Sequence, residues 1–187
     1  MKRTVAIAFM AAILAIAGAA TGQSSGLIVL WAEESFTSCN VAGATDLVTI
    51  YVVHEYMAGA TSSRFKLQDN TGGALAYVGD QVQPPVVALG NANTGVDLAY
   101  GACFTGKLHI LNAVYSVLSD PPVCSTIQVV PDPAAPSGWL EGTDCQGVRI
   151  FPGRTSVTFN NEGTCACQWD GLPIETSTWG NVKSLYR

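Results

Sequence analysis

Few residues of this chain have the type and spacing that chemistry requires. His54-Glu55-Tyr56-Met57-Ala58 starts like the zinc-peptidase pattern H-E-x-x-H, in which two histidines one helical turn apart share a metal and the glutamate acts as base. Ala58 stands where the second histidine would be. The pentapeptide also ends a run rich in β-branched residues, and on a strand residues four apart do not form the close pair that a helix provides. His54 is therefore expected to be a sheet residue with a hydrogen-bonded ring. Gly22-Gln23-Ser24-Ser25-Gly26 fits the nucleophile-elbow pattern G-x-S-x-G, but an elbow needs a strand before the serine and a helix after it. Neither is indicated there, so Ser24 is not assigned as a nucleophile.

The chain has fourteen acidic residues, scattered through turns and strand ends. Catalysis by paired carboxylates needs two acids facing one cleft. Asp97, Asp144 and Asp170 are as suitable as any others, which singles out none. Asp69, Asp80 and Asp132 sit in turns where calcium could bind, but EF-hand spacing is missing, and their expected role is to hold turn amides. There is no phosphate-binding glycine loop, haem-type cysteine motif or Asn-x-Ser/Thr acceptor. The sequence assigns no catalytic, cofactor-binding or metal residue, and no cofactor is expected.

Cysteine is the informative residue. Cys39, Cys103, Cys124, Cys145, Cys165 and Cys167 make an even set, and in an exported chain that implies three disulfides. A structural zinc site would need paired Cys-x-x-Cys or histidine spacings, whereas here there are one Cys-Ala-Cys and two distant histidines, His54 and His109. Cys165 and Cys167 share one face of a strand, so each needs a distant partner. Of the fifteen possible pairings, the one expected here closes two local hairpins, Cys145–Cys165 and Cys103–Cys124, and leaves Cys39 to Cys167.

The expectation of export comes from the first residues. Lys2 and Arg3 precede an apolar run from Val5 to Ala17, and Ala20 and Gly22 fit a cleavage site. The run is shorter than the ~20 residues of a spanning helix. Residues 1–22 are read as a cleavable signal peptide, with no membrane span after cleavage, and 23–187 as a single domain in the periplasm or outside the cell. Losing Lys2 and Arg3 makes a chain of formal charge −5 more acidic still, which argues against nucleic acid or anionic lipid as partner. Charged residues are only 12% of the chain, about half the usual share, so the surface should be polar but charge-poor.

The elements that must carry these residues read as strands: β-branched and aromatic runs bounded by Gly, Pro, Asn and Asp. They are expected at Leu27–Trp31, Asp46–Met57, Ser63–Gln68, Ala74–Val78, Val86–Leu89, Val96–Gly101, Leu108–Leu118, Thr126–Val130, Val148–Phe151, Ser156–Asn160 and Thr164–Trp169. Asp46–Met57 is apolar on both faces and suits a central strand. The proline-rich Val129–Gly138 cannot continue a strand and is read as a connection between two sheets. Ser177 is expected to cap a short C-terminal helix in which Trp179, Val182 and Leu185 or Tyr186 recur at helical spacing. With many short strands and no amphipathic helix between them, the fold class is all-β, a disulfide-stapled antiparallel β-sandwich.

Tyr51-Val52-Val53-His54, Ala99-Tyr100-Gly101-Ala102-Cys103, Val129-Val130-Pro131-Asp132-Pro133, the Cys165-Ala166-Cys167 pair and the ending Thr178-Trp179-Gly180 to Arg187 carry a resemblance. Together they resemble small, uncharacterised exported bacterial proteins with an immunoglobulin-like β-sandwich. The resemblance implies a fold and an address, and no site residue.

These readings favour a non-enzymatic exported binding or structural module. Its partner would be envelope polysaccharide, an envelope protein or a second copy of the chain. Trp31, Trp139 or Trp179, if exposed, could stack on sugar rings. One alternative is a self-assembling or adhesive surface subunit joined through a sheet edge, because Leu27–Trp31 and Ala74–Val78 lack charge and could be peripheral. The other is a secreted hydrolase with acids on sandwich loops, for which two carboxyl groups in one concave pocket would be needed.

Overall fold

The computed structural model describes residues 26–161 and, beyond these, 163, 165, 167, 169 and 170. The expected signal peptide and C-terminal helix lie outside the described residues, as does nearly all of the Gly22–Gly26 motif. Regular structure within the described residues is entirely β. In chain order the strands are β1 (Leu27–Trp31), β2 (Asn40–Val41), β3 (Leu47–Asp69), β4 (Leu75–Val82), β5 (Val87–Asn91), β6 (Gly95–Val117), β7 (Thr126–Val130), β8 (Glu141–Asp144), β9 (Arg149–Ile150), β10 (Gly153–Phe159) and β11 (Trp169–Asp170).

β3 and β6 set the architecture, and each joins two segments that the sequence suggests are separate. Both run for 23 residues and pair antiparallel along their length. The intervening glycines bend the ladder instead of ending it: the register shifts between Tyr56 and Ala60 and again before Ser62, with Gly59 at φ 92° and Gly106 at φ 83°. Each strand thus serves two layers. The first half of β3 and the second half of β6 lie with β1 and β4. The second half of β3 and the first half of β6 lie with β5 and β8, and the last residues of β3 pair with β7, which joins β10 and β2 in a separate sheet.

The core lies between the layers and is filled by inward-facing alternate residues, including Ile50 and Val52, Phe65 and Leu67, Leu98 and Tyr100, and Ile127 and Val129. The expected central strand is confirmed, since β3 has β1 on one edge and β6 on the other. β10 closes the structure by pairing antiparallel with β7 and parallel with β1 and β2, so the sandwich is not purely antiparallel.

One topological expectation is corrected. Leu27–Trp31 is not peripheral: Leu27 and Ile28 are paired on both sides, and further along the Leu30 amide donates to Thr155 Oγ1 at 2.8 Å. The other strand expected at an edge, Ala74–Val78, is at one: all but its first residue falls in β4, and β4 and β5 follow one another along β6 and pair with no other strand among the described residues. The proline-rich segment does connect two sheets, as expected: it leads from β7, which pairs with β10 and with Lys66–Asp69 of β3 in one sheet, to β8, which pairs with Ala60–Arg64 of β3 and with β9 in the other.

All six cysteines are bridged, with one of the three expected pairings present. Cys39–Cys167 is as expected, but Cys103 joins Cys145 and Cys124 joins Cys165. The expectation went wrong by favouring sequence-local hairpins. β6 and β8 instead lie on either side of β3, so a disulfide over β3 is the shorter path in space.

Candidate functional site

The histidines are placed on opposite faces of the first layer. His54 is buried in the core with Nδ1 2.7 Å from the Tyr100 hydroxyl and its ring stacked on Tyr56, as a sheet histidine should be. Burial pushes its pKa down to about 4. His109 faces outward, where its Nε2–H donates to Asn112 Oδ1 at 2.7 Å and its ring meets Phe36 and Tyr51. Among the described residues no three His, Cys, Asp or Glu side chains gather in a way that could hold a metal ion.

The turn carboxylates hold turn amides. Asp69 Oδ1 accepts from the Thr71 amide and Asp132 Oδ1 from the Ala134 amide, at 2.7 and 2.8 Å. Asp80 is not in a turn, where it was expected: it sits within β4 opposite Ala113, and from there its Oδ2 accepts from the Ala92 amide of the turn between β5 and β6 at 2.7 Å. Asp144 Oδ1 accepts from the amides of Gln146 and Val148, shaping the turn between β8 and β9. Asp170 pairs through its backbone with Arg154.

Asp97 is different, because β pairing places it in an outward-facing concave surface built by β9, β8, β3, β6 and β5. On β3, Ser63, Phe65 and Leu67 point into the core, so Ser62 and Arg64 point out. Register then fixes two rows across the strands. One runs Glu141, Arg64, Asp97, Leu89. The other runs Arg149, Thr143, Ser62, Ala99, Val87.

In the first row Arg64 forms a bidentate pair with Asp97, and its Nε is 3.5 Å from the largely buried Asp132 carboxylate. The hydrogen bond to Asp97 raises the pKa of Arg64; burial opposes this, and the charges of Asp97, Asp132 and Glu141 add to the rise. In the second row the three middle side chains are small, so the surface dips into a groove of about 550 Å³ between the charged row and the β5 rim, where Val87 and Leu89 are exposed. Cys103–Cys145 spans β3 next to this groove.

Asp97 and Glu141 therefore lie in one concave site, the arrangement on which the hydrolase alternative depended. Arg64 stands between them and occupies both Asp97 oxygens, so the pair makes a salt-bridged floor and not two carboxyls facing a free substrate position. Of the tryptophans named as sugar platforms, Trp31 is buried under Lys107 (Nζ 5.8 Å from the ring centre) and Trp139 is 68% exposed. Trp179 lies outside the described residues. Neither Trp31 nor Trp139 lines the groove.

Sequence reasoning did not single out Arg64, Glu141, Val87 or Leu89. The outward alternation of Ser62, Arg64 and Lys66 was legible, but the register that sets Glu141 and Asp97 beside Arg64 was not.

No protein-family model matches the chain, and no curated protein is similar to it in sequence. Solved structures are similar. The cohesin module of a family 33 glycoside hydrolase from Clostridium perfringens superposes with a TM-score of 0.52 at 9% identity, covering 73% of this chain and 98% of that one. A non-cellulosomal cohesin from the archaeon Archaeoglobus fulgidus gives 0.49 at 10% identity, covering 72% and 90%. The first of these likenesses shows a fold like that of a cohesin module, a β-sandwich.

Proposed function

We propose that this protein is an exported, non-enzymatic module of the periplasm or cell exterior that binds a protein partner on the concave surface of β9, β8, β3, β6 and β5. The carrying observation is the make-up of that surface: a polar, salt-bridged floor with an exposed aliphatic rim at Val87 and Leu89 and, among the described residues, no aromatic side chain lining the groove. Sugar rings are usually held by aromatic stacking, whereas an aliphatic rim around satisfied charges suits a polypeptide. The cohesin-type fold agrees with a binding role, and three disulfides suit an oxidising compartment. Export, with a signal peptide at 1–22 and one domain over 23–187, is part of the same reading.

Site-specific photo-crosslinking tests it. A benzophenone side chain at Ala99, in the groove, is expected to capture one or a few proteins of the producing cell's envelope or medium. The same group at Leu47, exposed and away from the groove, is expected to capture none of them. Identical adducts from both positions, or retention on envelope polysaccharide that a bulky Ala99→Trp blocks, would overturn the protein-binding reading.

The open, charge-free edge of β5 keeps self-assembly as a second reading. Under it, light scattering would show a concentration-dependent oligomer that Leu89→Lys disperses; a monomer at all concentrations ends it.

A further inference from the structure

We propose that Glu141 is the receptor for a basic side chain, lysine or arginine, presented by the protein partner; this rests on the reading that the concave surface docks a protein. Glu141 is only 9% exposed and lines the groove. Its Oε1 is buried and accepts no hydrogen bond. A carboxylate oxygen in that state forgoes the donors that water would give it, and such groups normally have a partner.

The neighbouring cations do not supply one. Arg64 is turned to the other side, bidentate on Asp97 and reaching Asp132. Arg149, which is more than half exposed, brings Nη1 no closer than 3.7 Å, beyond hydrogen-bond distance. Three carboxylates, Asp97, Asp132 and Glu141, thus face two guanidiniums: Arg64 is shared by Asp97 and Asp132, and Glu141 has only the exposed Arg149, too far away to donate a hydrogen bond.

Shape supports the same occupant. Thr143, Ser62 and Ala99 form a lane of small side chains leading from β8 to the Val87 rim, three strand spacings or roughly 14 Å long. A lysine or arginine can lay its apolar stem along Ala99 and bring its charged head to Glu141. An acidic or purely aliphatic side chain would leave the oxygen without a donor.

The test is a titration of the isotope-labelled protein with the peptides Ac-Leu-Xaa-Leu-NH2, Xaa being lysine, arginine, norleucine or glutamate, followed by backbone amide shifts. Saturable shifts at Ser62, Ala99 and Thr143 are expected with lysine and arginine only. Glu141→Gln should weaken binding at least five-fold while keeping the native spectrum. Arg149→Gln, at an exposed position, should tighten it by removing the competing cation, and Glu55→Gln on the opposite layer should change nothing. Equal binding of the norleucine peptide, or no effect of either groove substitution, would overturn the assignment. If groove crosslinks to a protein persist while the basic peptides show no preference, only the role of Glu141 falls. Should the crosslinks fail as well, the docking reading falls with it.

Discussion

Gly59 lies directly beneath the sulfur of Cys145: a Cβ at Gly59 would stand 2.6 Å from Cys145 Sγ and 3.0 Å from Cys103 Sγ. The disulfide passes over β3 at the bend where the strand changes layers, and the residue below it must lack a side chain. Gly59 also has φ 92°, a conformation that other residues rarely adopt. Gly59→Ala is expected to destabilise the oxidised protein by about 2–4 kcal/mol, combining backbone strain and the clash. In a Cys103→Ala/Cys145→Ala background the sulfur clash is gone, and the cost should fall to the strain and the remaining contact with Thr105 Cγ2 at 3.0 Å. Denaturant unfolding of the four proteins gives the coupling; equal costs in both backgrounds would show that the sulfurs do not press on Gly59.

The bridges themselves can be mapped. Peptide mass spectrometry of the unreduced protein should recover Cys39–Cys167, Cys103–Cys145 and Cys124–Cys165, and none of the hairpin-closing links. In the chain-entropy account, removing the bridge of sequence separation 42 costs about 4 kcal/mol and the one of separation 128 about 5 kcal/mol. A larger loss for Cys103–Cys145 than for Cys39–Cys167 would contradict that ordering.

His54 makes stability depend on pH in a definite direction. Its pKa falls from 6.5 to about 4 on folding because burial disfavours the imidazolium. Between those values the unfolded chain binds the proton and the folded one does not, so stability is fully present above pH 6.5 and declines as pH drops toward 4. The loss is roughly 3 kcal/mol over that window. Carboxylates titrate there too, so the measurement is the difference between wild type and His54→Gln in urea unfolding at pH 7 and pH 4.5. Wild type should lose more. Parallel losses would mean that His54 is already charged in the folded state or is open to water.

How much of this was legible in the sequence depends on whether a feature is local. Alternation in Val48, Ile50 and Val52, and in Ser63, Phe65 and Leu67, marks the core strands correctly, because inward burial acts residue by residue. Gly59 and Gly106 read as breaks, since a glycine that ends a strand and one that bends it look alike until the neighbouring strands are known. Glu141-Gly142-Thr143-Asp144 has poor strand propensity and was passed over; it is a strand because β3 and β9 hold it from both sides. The groove fell with it. Its charged row depends on the register of three strands far apart in sequence, which no local pattern encodes.

That row leads to the last prediction. Arg64 pairs with Asp97 and reaches Asp132, and Glu141, whose nearer guanidinium is Arg149 at 3.7 Å, still feels its charge; Asp132 and Glu141 keep side-chain exposures of only 8% and 11%. Removing a central cation leaves buried negative charge uncompensated, which usually costs more than the pair contributed. Arg64→Ala is expected to lower stability by about 2–4 kcal/mol. Arg64→Lys keeps the charge but lacks the planar fork that grips both oxygens of Asp97, so it should recover only part of the loss. Asp97 is over a third exposed, and water screens its share of the interaction; Asp97→Asn should therefore cost less than about 1 kcal/mol. The decisive comparison is the order of the three variants in urea unfolding at neutral pH. If Asp97→Asn proves as damaging as Arg64→Ala, the row is held together by the exposed bidentate pair, and Arg64 is not the counter-ion of the buried carboxylates beside it.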